Sequence, residues 1–363
     1  MNILVLNNGS SSIKCSLYDF PHPEPIWEKK IEWKNIQKES AARLEKELHS
    51  LLSGKQIDCI GHRIVHGGNQ YKESVVIDQT VIKEIRSLGD LAPLHNFADV
   101  VGIEVLEKLF PKVPQIAVFD TAFHHTLPQS ASIYPGPYEW VQKGIHRFGF
   151  HGISFQYCTK AATEMVGGEI EKMVICHLGS GASLCAVKKG ESIDTTMGFT
   201  PLEGLMMDTR SGTLDPGILL YLLRTKTAKE LEQELYEQSG LLGLSGISSD
   251  MRDILQKASE GNERAQLALN IYLHRLVSSI GSMIASLGGL NVLVFTAGIG
   301  ENASLIRKKT CEQLAFLGIK LDEPNRTGDR ILSSPTSQVK VLLIHTQEAF
   351  EIARECWSKV RLR

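Results

Sequence analysis

At 363 residues, with 42% hydrophobic and 22% charged side chains, the chain is long enough for two domains and is composed like an ordinary globular protein, so disorder and fibrous repeats are excluded. A net charge of −2 gives no electrostatic reason to expect nucleic acid or an anionic membrane as a partner. The seven cysteines (Cys15, Cys59, Cys158, Cys176, Cys185, Cys311, Cys356) are scattered without a C-x-x-C pair, which argues against a disulfide framework or zinc site and for a reducing, cytoplasmic setting.

The chain opens directly on an apolar strand, without the basic and apolar regions of a signal peptide. Residues 3–17, ILVLNNGSSSIKCSL, read as a strand, a Gly/Ser turn and a second strand. Helical spacing follows over 39–52 and 98–109, then a strand over 116–119 that ends at Asp120. Residues 173–187, MVICHLGSGASLCAV, repeat the opening grammar, with Gly9 against Gly179 and Cys15 against Cys185. A second echo sets Val118-Phe119-Asp120-Thr121-Ala122 against Val294-Phe295-Thr296-Ala297-Gly298. Further helical spacing covers 228–239, 250–287, a stretch from Ser304, and 348–360. No charge occurs from Leu276 to Gly300, but the serines and glycines there suit a helix ending at Gly288-Gly289 and a buried strand over 292–295 better than a membrane span. The repeated grammar predicts an α/β fold of two duplicated lobes, each a sheet flanked by helices, around a central cleft.

Three glycine elements carry the first chemical signals. The turn Asn7-Asn8-Gly9-Ser10-Ser11-Ser12, with Lys14 just beyond, offers backbone N–H groups, hydroxyls and a cation to a phosphate, although a tight hairpin with a solvated lysine fits equally well. His177-Leu178-Gly179-Ser180-Gly181-Ala182-Ser183 shares that ambiguity. Thr296-Ala297-Gly298-Ile299-Gly300-Glu301-Asn302 follows a buried strand and precedes a helix, a position suited to a nucleotide. Neither G-x-x-x-x-G-K-[ST] nor G-x-G-x-x-G is present, which excludes a P-loop and the usual dinucleotide fingerprint. Arg63 and Arg210 lie in glycine-rich, weakly charged surroundings suited to bidentate recognition of carboxylate or phosphate. His151 stands between Phe150 and Gly152; a satisfied structural histidine is the more common outcome for such a residue, and a pairing with Asp120 makes a role in a cleft the competing reading. The histidine pairs His62/His66 and His124/His125 lack the carboxylate or cysteine complement of a transition-metal site.

With these residues quoted, the chain resembles the acetate kinase family of the sugar kinase–Hsp70–actin superfamily. The resemblance runs in order through N-x-G-S-S-S-x-K at 7–14, HRIVHGG at 62–68, APLHN at 92–96, FDTAFH at 119–124, RFGFHG, HLGSGAS, TTMGFTPLEGL, TRSG, SSDMRD at 248–253 and GIGEN at 298–302. It implies two ribonuclease H-like lobes, residues 1–121 with 350–363 on the acid side and 122–349 on the nucleotide side. It further implies reversible phosphoryl transfer between ATP and acetate, giving acetyl phosphate and ADP, with Mg²⁺ or Mn²⁺ held by Asn7 and Glu348. Asp120, His151, Arg210 and Arg63 would be catalytic. Arg63, Val65, Leu94, His95, Phe150 and Pro201 would bind the acid. Ser10, Ser12, Lys14, His177, Leu178, Gly179, Ser180, Gly181, Asp250, Met251, Arg252, Gly298, Ile299, Gly300, Glu301 and Asn302 would bind ATP. The family likeness also implies a homodimer.

The chain departs from the family pattern at Ser180 (usually Asn), at Asp208 (usually Gly), and at Gln347 and Ala349 in place of T-N-E-E residues. Two alternatives stay open: a propionate or butyrate kinase of the same family, and a non-catalytic ATP-binding sensor on the same scaffold.

Overall fold

The computed structural model describes residues 1–8, 12–32, 38–90, 96–322 and 328–361. The chain divides into two compact units: Met1–His125 with Phe150–Tyr157 and Gln347–Arg363, and Thr126–Gly149 with Cys158–Thr346.

In the first unit a six-stranded sheet runs in the order β3 (Trp27–Glu32), β2 (Ser12–Asp19), β1 (Asn2–Asn8), β4 (Cys59–Ile64), β6 (Gln115–Phe119), β5 (Val75–Val76). The strands β1, β4 and β6 are mutually parallel, and β2, β3 and β5 run against their neighbours. Alternation along β1 explains its unbroken apolar run. Leu4 and Leu6 belong to a core with Leu44, Leu48 and Leu52 of one helix and Val105 and Leu106 of another. Ile3 and Val5 belong to a second core with Ile352, Ala353 and Cys356 of helix Glu348–Arg361. A strand covered on both faces needs no polar side.

The second unit holds a six-stranded sheet in the order β11 (Arg330–Ile331), β12 (Lys340–Leu343), β10 (Val292–Thr296), β7 (Lys172–Leu178), β8 (Ala182–Lys188), β9 (Glu191–Thr195). Its pairings repeat those of the first sheet: β7, β10 and β12 are parallel, and β8, β9 and β11 are antiparallel to their neighbours. The duplication read from the opening hairpin therefore holds at the level of topology.

Two details of that reading are corrected. The strand equivalent to β10 is β4, since each lies beside the first strand of its unit, so the echo between Val118–Ala122 and Val294–Gly298 joins strands that are not equivalent. The second hairpin turn is also one residue shorter: Asn8 pairs with Ile13 in the first hairpin, but Leu178 pairs with Ala182 in the second. Cys15 therefore corresponds in register to Leu184 rather than Cys185, a slip that an ungapped comparison cannot reveal.

The stretch 250–287 forms two helices, Met251–Ser259 and Glu263–Leu287, because Gly261 takes a left-handed φ of 89° and Asn262 caps the second helix by accepting the Ala265 amide. The second helix ends at Gly288 (φ 68°), and β10 follows as a fully buried strand, which accounts for the charge-free run. Among the described residues no helix is long and apolar enough to cross a membrane.

Candidate active site

In the first unit, the ends of three strands and one helix bring four charged or amide side chains into one chain of contacts. Asp120 follows β6, is 1% exposed, and takes both Nε (3.0 Å) and Nη2 of Arg63 on its Oδ2. Arg63 Nη1 reaches Asn7 Oδ1, near the end of β1, at 3.4 Å, and Asn7 Nδ2 donates to Glu348 Oε2 at 3.2 Å. Burial opposes the Arg63 charge, but the Asp120 and Glu348 carboxylates outweigh it and raise its pKa above the ordinary arginine value. The guanidinium stays cationic, and Asp120 fixes its plane.

The RFGFHG run shapes the neighbouring backbone. His151 has φ 59°, a left-handed conformation uncommon outside glycine and stored most often at functional positions. Gly152 then donates its amide to the Asp120 carbonyl at 2.8 Å, and a Cβ at 152 would collide with that oxygen. Phe150 is buried, with its carbonyl 3.1 Å from His124 Nε2 and its ring edge-on to His66. Val65 is buried in the same unit.

Several residues that hold this loop escaped the sequence reading. Buried Asp99 accepts the Val65 amide at 3.3 Å, and buried Asn96 donates to the carbonyls of His66 and Ile85, each at 3.3 Å. The Gly68 amide donates to His66 Nδ1 at 2.9 Å, which leaves the ring proton on Nε2. His62 Nε2 meets Gln115 Oε1 at 2.6 Å, and burial lowers its pKa to about 4, so the ring is neutral. The asparagine of APLHN was the available signal for Asn96; Asp99 gave none, because its partner is a backbone amide 34 positions away.

In the second unit the two remaining glycine elements meet at the carboxyl ends of adjacent parallel strands. Thr296 of β10 pairs with His177 of β7. A Cβ at Gly179 would lie 3.7 Å from the Ala297 Cβ, and one at Gly300 would lie 3.7 Å from the Leu178 Cβ. The expected turn at 296–302 is in fact a short helix, Ala297–Asn302, entered through Ala297 at φ 64°. Asn302 Nδ2 donates to the Gly298 carbonyl at 2.9 Å.

Asp208 and Ser180 of the glycine turn, two departures from the family pattern, are neighbours. Burial raises the Asp208 pKa, nearby Asp250 adds to it, and Ser180 and Arg210 oppose it. Burial lowers the Arg210 pKa, while its Nη1 donates to the Pro201 carbonyl at 3.1 Å. The Pro201 segment has its own brace, also missed from sequence. Arg147 Nη2 pairs with Glu203 at 2.7 Å, Arg147 Nη1 donates to the carbonyls of Thr195, Thr196 and Met197 at 3.1 Å, and Tyr134 donates to Glu203. Asp250 caps helix Met251–Ser259 through the Arg252 amide at 2.8 Å, and hydrogen bonds from Arg252 hold its carboxyl at about 2.

Some expected site residues are not drawn in. Lys14 is exposed on β2 and pairs with Glu28 at 2.9 Å. Ser10, Leu94 and His95 lie outside the described residues, and of Ser12 only its place at the start of β2 is described.

The profile of the Acetokinase family matches residues 38–354. An acetate kinase of Gloeobacter violaceus is 48% identical, covering 99% of this chain and 100% of that protein. The crystal structure of an acetate kinase from Porphyromonas gingivalis superposes with a TM-score of 0.91 at 36% identity, over 99% of each chain. A propionate kinase from Francisella tularensis superposes at 0.89, also with 36% identity, over 98% of this chain and 99% of that one.

Proposed function

The chain belongs to the acetokinase family, and on that premise we propose that it is an acetate kinase, transferring a phosphoryl group reversibly and directly between ATP and acetate to give acetyl phosphate and ADP. The observation that carries the proposal is the Asp120–Arg63–Asn7–Glu348 chain of contacts, which joins a fixed cation to two oxygen donors. The phosphoryl group in transit spreads negative charge over its oxygens, so positioned cations do most of the catalytic work. Arg63 and Arg210 supply guanidinium donors to acid and phosphoryl oxygens, and His151 is a further transition-state donor. A carboxylate nucleophile is already ionised at neutral pH and needs no general base. Asp120 therefore acts as the orienter of Arg63, a role its contact with Nε and Nη2 supports. Val65, Phe150 and Pro201, with Leu94 and His95, border the acid.

The nucleotide binds along His177–Gly181, Asp250–Arg252 and Gly298–Asn302, with Ser10, Ser12 and Lys14 towards its phosphates. Asn7 and Glu348 fit a hard divalent cation by donor chemistry, because the Asn7 amide and the Glu348 carboxylate are adjacent, Nδ2 to Oε2 at 3.2 Å, and Mg²⁺ commonly takes one or two protein oxygens, with substrate phosphate and water completing its shell. Mg²⁺ or Mn²⁺ held there would neutralise charge on the phosphate oxygens. The helix Pro216–Leu222 leaves Leu220 69% and Tyr221 67% exposed, an apolar surface that supports a homodimer. A cytoplasmic location fits the seven buried, unbridged cysteines.

The reverse reaction is the direct test. Purified protein with ADP, Mg²⁺ and acetyl phosphate is expected to release ATP in a coupled assay. Folded protein that binds ADP but makes no ATP from acetyl, propionyl or butyryl phosphate would favour the sensor reading.

A further inference from the structure

The turn from β10 into helix Ala297–Asn302 is held in a conformation it would not keep alone, since Ala297 stands at φ 64°, where side chains other than glycine are seldom found. The group that holds it is Glu301. Its Oε1 accepts the Ala297 amide at 2.9 Å and the Thr346 amide at 3.2 Å, with the Thr296 hydroxyl at 3.5 Å. Its Oε2 faces His345 Nδ1 at 2.7 Å. The Glu301 side chain is only 10% exposed, so the carboxylate is engaged with its own backbone. Buried Arg307 closes the other end of the short helix, donating Nη1 to the Gly300 and Glu301 carbonyls at 2.9 Å each.

Glu301 is the only acidic residue in Gly298–Asn302, the run that the kinase reading sets against the nucleotide. A carboxylate facing a phosphate would repel it; one turned under the turn instead offers Oε1 as an acceptor to the Ala297 and Thr346 amides. We infer that Glu301 is a positioning residue: through Oε1 it fixes Ala297, and with it the Gly298–Gly300 backbone that receives the nucleotide. The identity of the ligand rests on the kinase reading, whereas the fixing of the turn rests on geometry alone. His345 is a neighbour of the carboxylate and not the source of its effect.

The test compares Glu301→Ala, the near-isosteric Glu301→Leu, Glu301→Gln and His345→Gln in the full chain. It measures amide exchange across 293–305, ADP affinity by calorimetry, and separate KM values for ATP and acetate. Loss of the acceptor in the Ala and Leu variants is expected to speed Ala297 exchange and weaken ADP binding on the order of tenfold, the scale of a hydrogen bond to a charged group. The KM for acetate should stay near that of the parent. Glu301→Gln should recover most of the loss, because its amide oxygen still accepts, and His345→Gln should behave as the parent. Folded Ala and Leu variants with parental exchange and ADP affinity would overturn the inference. So would a Gln variant as impaired as Ala, since the charge and not the acceptor would then be at work. If the parent binds ADP but forms no acyl phosphate, the kinase reading fails while the exchange and ADP measurements still decide the role of Glu301.

Discussion

Adding one methyl group at Gly152 tests how Asp120 is placed. Gly152 opens helix Gly152–Val166, where intrinsic propensity alone makes alanine better than glycine by about 0.5–1 kcal/mol. The surroundings point the other way. A Cβ there would lie 3.0 Å from the Phe123 Cβ and 3.1 Å from the Asp120 carbonyl carbon, and closer still to its oxygen. Carbon atoms prefer separations of about 3.5–4.0 Å, so the Asp120 backbone must withdraw by roughly 0.5 Å or more. The Asp120 side chain holds Nε and Nη2 of Arg63, and the shift passes directly to the guanidinium. Overpacking of this kind costs about 1–3 kcal/mol of stability. A displaced catalytic group costs up to about 10²-fold in rate per ångström, so a loss of tenfold or so in kcat is expected. Gly281→Ala is the control: that residue is exposed within helix Glu263–Leu287, a Cβ there meets nothing within 4 Å, and the change should stabilise slightly. Urea unfolding and steady-state kinetics on both variants decide the matter. A Gly152→Ala protein as stable and active as its parent would refute the argument that this glycine sets Asp120.

Other outcomes follow from the same contacts. Arg63→Ala and Arg210→Ala should each lower kcat by about 10²-fold or more, the usual effect of removing a transition-state electrostatic donor, with far less change in ATP affinity. Either variant losing ATP binding at near-normal turnover would show that arginine to be misassigned. Val65→Ala should raise kcat/KM for propionate relative to acetate, within the roughly 1–3 kcal/mol that one methylene is worth, and an unmoved ratio would remove Val65 from the acid pocket. His62 is neutral in the fold with its pKa lowered from 6.5 to about 4, so the unfolded chain binds the extra proton and stability falls as pH drops through that window. Between about pH 7.5 and pH 5 the loss from this group should be about 2 kcal/mol, read by urea titration and absent in His62→Gln.

The hairpins β1–β2 and β7–β8 were legible because apolar strands flank a small-residue turn, a signal confined to about fifteen residues. The one-residue difference between their turns was not, since register depends on cross-strand pairing. Arg63 and Asp120 stood out by their unusual surroundings, and the structure brings them together across 57 positions. Asp99, Arg147 and Glu203 did not stand out. Asp99 and Arg147 meet largely backbone amides and carbonyls that any sequence supplies, and Glu203 meets Arg147 and Tyr134 from 56 and 69 positions away, so only the fold reveals what they hold. Glu301 shows the complementary limit: the motif marked the residue, but the direction of its side chain depends on Thr346, 45 positions on.

The claim that this chain phosphorylates a short-chain carboxylate is tested most directly by trapping the product. Purified protein is incubated with ATP, Mg²⁺ and acetate in the presence of hydroxylamine, which converts an acyl phosphate to a coloured hydroxamate. Acetate is expected to give hydroxamate in proportion to ADP released, with propionate slower and butyrate slowest, and Arg63→Ala is expected to give almost none. Folded protein that binds ATP yet yields no hydroxamate with any of the three acids would contradict the account.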